Sequence, residues 1–272
     1  MKKILMASVF AALPFGAQAA DLSNTYSFIQ ADVEPAPAVI GHLELALGWD
    51  RIQASGGGDQ HQDYGLFEGF GRVNIPFAGN WNLELETGGS AIFDDGASQS
   101  HMGVFAHLWG GGATGRAGVF GGIDFIEDGQ LGTAGVEGEI DAGNVTLGAQ
   151  GSYNQILDCS ACSYWGARAW ADFYATPNTR LGIEGGYAYF PDSGGSNEGV
   201  WDVWGTAEQR FAGTPLSVFV RAGYENDFDE IEFITVSGGI RVFMDGGLDL
   251  QTHDQQVPFD VREPQLIQLI DD

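Results

Sequence analysis

Apolar and polar residues alternate with a period of two along most of this chain, in runs of about ten residues parted by clusters of Gly, Asn, Asp and Pro. Twelve such runs lie at 41–51, 65–75, 81–90, 100–109, 116–125, 133–141, 145–154, 164–174, 180–190, 200–210, 216–225 and 234–244. Alternation sends successive side chains to opposite faces of a strand, so the pattern predicts an all-β chain. In the third run Trp81, Leu83 and Leu85 share one face, and Asn82, Glu84 and Glu86 the other. The sixth sets Ala134, Val136, Gly138 and Ile140 against Gly135, Glu137, Glu139 and Asp141. The eighth sets Trp165, Ala167, Ala169, Ala171 and Phe173 against Arg168, Trp170, Asp172 and Tyr174.

The connectors alternate as well. Those after the even runs are short: 76–80, 110–115, 142–144, 175–179 and 211–215. Those after the odd runs are mostly longer, and each carries acid, from Asp59 and Asp63 to Asp227, Asp229, Glu230 and Glu232. Tight turns on one rim and polar loops on the other predict an up-and-down antiparallel barrel that crosses an outer membrane, turns inward and loops outward. An even strand count puts both termini in the periplasm.

Charge placement sharpens this picture. Arg72, Arg116, Arg168, Arg180, Arg210, Arg221 and Arg241 fall inside runs, and all seven lie on the polar parity. An arginine facing mid-bilayer hydrocarbon costs about 2–4 kcal/mol, which explains the segregation if the apolar parity faces lipid. Thr87 and Gln209 break the rule mildly. Aromatics of the apolar parity gather at run ends: Trp49, Phe125, Tyr153, Trp165, Tyr187, Tyr189, Trp201 and Tyr224 beside the long loops, Trp81 and Phe173 beside short turns. Two interfacial girdles need that placement. The competing reading, a secreted β-sandwich or solenoid, has no use for it and needs a polar outer face.

The first nineteen residues are expected to be an export signal. Lys2 and Lys3 form a basic start, residues 4–15 an apolar stretch, and Ala17-Gln18-Ala19 a small-x-small cleavage site. With both lysines gone, nine arginines face 37 acids, and the formal charge moves from −26 to −28. That argues against nucleic acid as a partner. A glycine content of 42 without a three-residue period excludes collagen, and no uninterrupted apolar stretch beyond the signal is long enough for a spanning helix. The expected plan is a signal at 1–19, a periplasmic segment at 20–40, a barrel at 41–244 and an acidic tail at 245–272.

Taken together, the signal, the alternating runs, the short turns against acidic loops and the last run ending Ile240-Arg241-Val242-Phe243 resemble the outer-membrane β-barrel proteins of Gram-negative bacteria, and among them small porins. The resemblance covers about residues 41–244 and implies outer-membrane lipid, lipopolysaccharide and the barrel-assembly machinery as partners. It implies passive diffusion of small hydrophilic solutes as the function. Glu84, Glu86, Glu137, Glu139 and Asp141 crowd the third and sixth runs, while most arginines sit on the eighth to twelfth. Facing walls of opposite sign set a transverse field, which in porins orients and filters solutes. Acidic loops lean such a channel toward cations at low salt. The alternative is a closed barrel, structural or surface-interacting, whose interior charges pair with one another. The tail departs from the porin pattern, because such barrels usually end on an aromatic residue. Plugging the lumen, extending into the periplasm and adding a strand are all open to it.

Other chemistry is sparse, and no cofactor, metal or enzymatic activity is expected. Cys159 and Cys162, spaced C-S-A-C in a loop, predict a loop-constraining disulfide, since a thioredoxin-type motif opens a helix. His42, His101 and His107 point inward on parity and lack the context of lipid-hydrolysing barrels, while Asp94-Asp95 with His61 make a weak protease-like cluster. The acidic stretch Asp227 to Glu232 lacks the register of a calcium loop.

Overall fold

In a computed structural model the twelve runs become twelve antiparallel strands, and β-branched, aromatic and glycine-rich alternation gives way to almost no helix. The structure describes residues 39–54, 60–93, 98–112, 114–126, 129–157, 159, 162–191, 197–226 and 231–259. The expected signal and the end of the tail lie outside them. The strands are β1 (Ile40–Ala54), β2 (Gln60–Ala78), β3 (Trp81–Phe93), β4 (Ser98–Gly112), β5 (Gly115–Ile126), β6 (Gly129–Ala142), β7 (Val145–Ile156), β8 (Ser163–Thr176), β9 (Thr179–Pro191), β10 (Asn197–Arg210), β11 (Leu216–Asn226) and β12 (Ile231–Met244). Each pairs with its sequence neighbours, and β1 pairs with β12, with Glu44 opposite Arg241, so the sheet closes on itself and leaves no edge.

Most strands run past the predicted limits at the long-loop end. β2 starts at Gln60 where alternation predicts 65, and β3 ends at Phe93 where it predicts 90. Roughly ten residues cross a bilayer as a tilted strand. Beyond that depth the backbone ladder continues while the demand for an apolar outer face stops.

The faces sort as the membrane requires. On β1, Leu43, Leu45 and Leu47 are exposed, while His42 and Glu44 are buried in the lumen, and the other strands repeat the division. The girdles are in place: Tyr153 lies beside Trp165 with ring centroids 5.0 Å apart, and Trp201 beside Tyr224 at 5.2 Å. The two exceptions on the lipid parity are satisfied locally, Thr87 donating to the Gly103 carbonyl and Gln209 to that of Arg210. Among the described residues no helix is long and apolar enough to cross a membrane.

Inside the barrel, bulky rings lie flat against the wall because the residue opposite has no side chain. Phe70 faces Gly88, Phe105 faces Gly122, Trp170 faces Gly148 and Trp204 faces Gly223 across their ladders. A Cβ at Gly148 would stand 2.0 Å from the Trp170 ring, and one at Gly88 would stand 2.1 Å from Phe70. These pairs account for part of the glycine content. At the short-turn rim Gly79 and Gly143 adopt φ of 58° and 70°, the left-handed region tight hairpins demand.

Candidate functional site in the lumen

The seven arginines on the polar parity all lie inside, and each is ion-paired; Arg51, near the long-loop end of β1, is the eighth strand arginine and pairs with Asp63 at 2.9 Å in an exposed position. Arg72 meets Glu86 at 3.1 Å, and Arg116 holds both Glu139 and Asp141. Arg168 bridges Glu184 at 2.8 Å and Asp202 at 2.9 Å. Arg180 reaches Glu208 at 2.8 Å, Arg221 and Arg241 share Glu44 at 2.6 and 2.9 Å, and Arg210 clasps Asp245 through two hydrogen bonds. The pairs run between neighbouring or next-neighbouring strands. The expected transverse field between an acidic and a basic wall is therefore replaced by neutralisation along the wall, since a partner one or two strands away is nearer than any across the lumen.

On the acidic side, His107 on β4 bonds Glu137 at 2.9 Å, and Glu84 stands opposite His107 in the β3–β4 ladder. Neither carboxylate oxygen of Glu84 has a hydrogen-bond partner among the described residues, although the group is fully buried. His42 and His107 are buried, and His101 meets Ser90 at 3.0 Å. Asp94 and Asp95 lie outside the described residues, as do most of the acidic loops and the side chain of His61. Cys159 and Cys162 are joined by a disulfide, their Cα atoms 5.2 Å apart.

At the long-loop end the lumen turns apolar. Leu131, Tyr164, Ala188, Val200 and Phe233 form one buried cluster, with Ile52, Ile156 and Phe190 packed against it. These side chains point inward on what is otherwise the polar parity. They close this end with residues of the wall itself.

The opposite end is closed by the tail. Beyond β12 the chain reverses through Gly246 and Gly247, at φ of 69° and 97°, where a Cβ would meet nothing but the conformation favours glycine. It then forms α1 (Leu250–Asp254), capped by Asp249 accepting from the Thr252 N–H at 2.8 Å. The helix lies over the short turns: Gln251 donates its backbone N–H to Pro177 at 3.0 Å and its side-chain amide to Gly143 at 2.7 Å, and Leu250 donates to Asn178. Residues 255–259 enter the lumen, where Phe259 is fully buried and stacks on His107 at 6.3 Å, edge-on to Trp109. Of the three placements open to the tail, the described part plugs the lumen.

Polar contacts hold the plug. Asp245 accepts from Nδ1 of His253 at 2.9 Å, which leaves Nε2 of His253 to accept from Nδ1 of His42 at 2.9 Å. Burial pushes the Asp245 carboxyl up, but hydrogen bonds from His253, Arg210 and the Gly247 N–H outweigh it and hold the group well below the usual carboxylate range. Asp254 accepts from the Tyr174 hydroxyl at 3.0 Å and from Arg180 at 3.2 Å, with Arg241 at 3.6 Å.

Between plug and wall lies a cavity of about 50 Å³, room for a few water molecules. Its strand-borne lining includes Arg72, Arg116, Arg180 and Arg241 against Glu139, Asp172 and Glu184, and Asp254 of the tail supplies the fourth carboxylate. Alternation alone does not single out Glu44, Asp202, Glu208, Asp245, His253 or Asp254, which meet these arginines or hold the plug. For the strand acids the available signal was their position on the same parity as the arginines.

No protein-family model matches the chain, and no curated protein is detectably similar in sequence. Solved structures are similar in shape. The COG4313 outer membrane channel from Pseudomonas putida F1 superposes with a TM-score of 0.55 at 13% identity, over 77% of this chain and 96% of that one. The translocator domain of the autotransporter NalP from Neisseria meningitidis gives 0.48 at 12% identity, over 74% and 88%. The KdgM porin gives 0.47 at 9%, over 72% and 98%. In fold, then, this chain is a closed antiparallel β-barrel of twelve strands, an architecture similar to that of the COG4313 outer membrane channel.

Proposed function

We propose that the protein is a porin-like outer-membrane channel, stoppered from the short-turn side by its own C-terminal segment, that passes small hydrophilic solutes when the segment withdraws. The observation that carries this reading is the nature of the stopper. It follows the last strand and hangs largely from side-chain hydrogen bonds over a charged wall. A barrel with no passage to control has less need of a removable filling. The charged wall left behind suits water and polar solutes. Outer-membrane lipid, lipopolysaccharide at the acidic rim and the barrel-assembly machinery are the partners this reading brings with it.

A second reading, a closed structural or surface-interaction barrel, is favoured by the apolar cluster around Leu131 and Phe233, which a conducting state has to part or keep dewetted. Planar-bilayer recording separates the two. The natural chain is expected to be mostly silent, and His253→Ala combined with Asp254→Ala to give stepwise conductance. Silence from a correctly folded double variant overturns the channel and leaves the closed barrel. Ion preference follows from the section that limits the current. With the plug seated the cavity lining is balanced, and the acidic mouth sets a cation lean; with Asp254 removed, the reversal potential across a salt gradient moves toward anions.

A further inference from the structure

Asp254 sits in its surroundings as a bound carboxylate does. Its Oδ2 takes the Tyr174 hydroxyl at 3.0 Å and Nη1 of Arg180 at 3.2 Å, while Oδ1 lies 3.6 Å from Nη1 of Arg241. The two guanidiniums do not depend on the tail for their placement. Glu208 holds Nη2 of Arg180 at 2.8 Å and Nη1 of Arg241 at 3.0 Å, and Glu44 holds Nη2 of Arg241 at 2.9 Å, while Tyr174 on β8 is buried in a cluster with Phe243 of β12 and Leu250 of the tail. The strands carry three donors that converge on one carboxylate, at the edge of the cavity between plug and wall. Four strand arginines line that cavity with three strand carboxylates, and the tail adds a fourth carboxylate, Asp254.

We infer that Tyr174, Arg180 and Arg241 form a carboxylate-binding site on the lumen wall, which Asp254 occupies as an internal stand-in, and that solutes bearing a carboxylate compete with the tail for it. The inference rests on the channel reading, whose solute class it names. A guanidinium–carboxylate pair with a hydroxyl donor recognises the anion by charge and by hydrogen-bond geometry. The neighbouring cavity takes the rest of a small solute. Because Asp254 is tethered, it competes at an effective concentration of roughly millimolar or more, so free carboxylates bind weakly while it is in place.

The test measures binding without requiring conduction. The full chain, folded in detergent, is heated with succinate, with erythritol, with putrescine, or with sodium chloride at matched ionic strength. Succinate is expected to raise the unfolding temperature of Asp254→Ala by several degrees, and to do so for the natural chain only at about tenfold higher concentration or more. Adding Tyr174→Phe to the Asp254→Ala chain weakens the response, since it removes one donor and keeps the ring. Erythritol, putrescine and salt are expected to do nothing. If Asp254→Ala does not fold, Asp254→Asn serves, as it keeps the shape and removes the charge. Equal responses of natural and variant chains to succinate, no response in either, or a response to putrescine overturns the site. Succinate binding with electrical silence sinks the channel alone, and conductance without succinate binding sinks the site alone.

Discussion

At its long-loop end the lumen is filled by side chains that belong to the wall, Leu131, Tyr164, Val200 and Phe233 among them, whereas at its short-turn end it is filled by residues 250–259, which follow the last strand. The first closure is apolar and made of residues on several strands, so it cannot leave without deforming the barrel. The second carries apolar anchors in Leu250, Val257 and Phe259, but its orientation is fixed by Asp245, His253 and Asp254. Wall-built packing gives stability. Tethered packing gives stability that a competing group can take over.

The comparison breaks first at Phe233. Its ring is almost fully buried among residues on strands that the barrel hydrogen bonds hold in place, so the space left by Phe233→Ala has little means of collapsing. The expected loss is about 3–5 kcal/mol, read from reversible denaturant unfolding of the folded barrel in detergent. A loss well under that range would show the outer cluster to be loose, and the two ends would no longer differ in kind.

His253→Ala is expected to cost less, about 1–3 kcal/mol, because it leaves Asp245 with Arg210 and strands the buried Nδ1 of His42. Its mark is locality. Limited proteolysis should cut the tail of the variant while the barrel stays resistant, as a segment with few wall contacts opens below the global unfolding energy. Cleavage of tail and barrel together would make the plug part of the same cooperative unit as the outer cluster.

How much of this was legible beforehand follows the same divide. Period-two alternation exposes the strands, and the cost of an outward arginine tells one face from the other, so parity puts Arg72, Arg116, Arg168, Arg180, Arg210, Arg221 and Arg241 on one face. Partners are another matter. Which acid meets Arg168 or Arg221 depends on ladder register and on the tilt that brings next-neighbour strands within reach, and alternation encodes neither. The inward Leu131 and Phe233 escape the rule because they lie towards the long-loop end, where the apolar-out demand fades. The tail escapes because its contacts join residues far apart in sequence, His42 with His253 being separated by 211 positions. Phe105, Trp170 and Trp204, by contrast, carried a readable signal, aromatic rings on the polar parity with glycines opposite.

The smallest effect sharpens the comparison through pH. Asp245 has its carboxyl held below an ordinary value of 3.8 by His253, Arg210 and the Gly247 N–H, which exceed the upward push of burial. A carboxyl with a depressed folded value contributes stability that is fully present above its unfolded value and is lost as pH falls through the folded one. The stability gap between the natural chain and Asp245→Asn is therefore expected to be flat from neutral pH to about pH 5 and to close only below the ordinary carboxylate range. The Phe233→Ala gap should show no such dependence, because Leu131, Tyr164, Ala188 and Val200 around it carry nothing that titrates in acid. If instead the Asp245→Asn gap narrows between pH 7 and 5, the Asp245 carboxylate is not what holds the plug, and the tethered end becomes responsive to mild acid while the wall-built end does not.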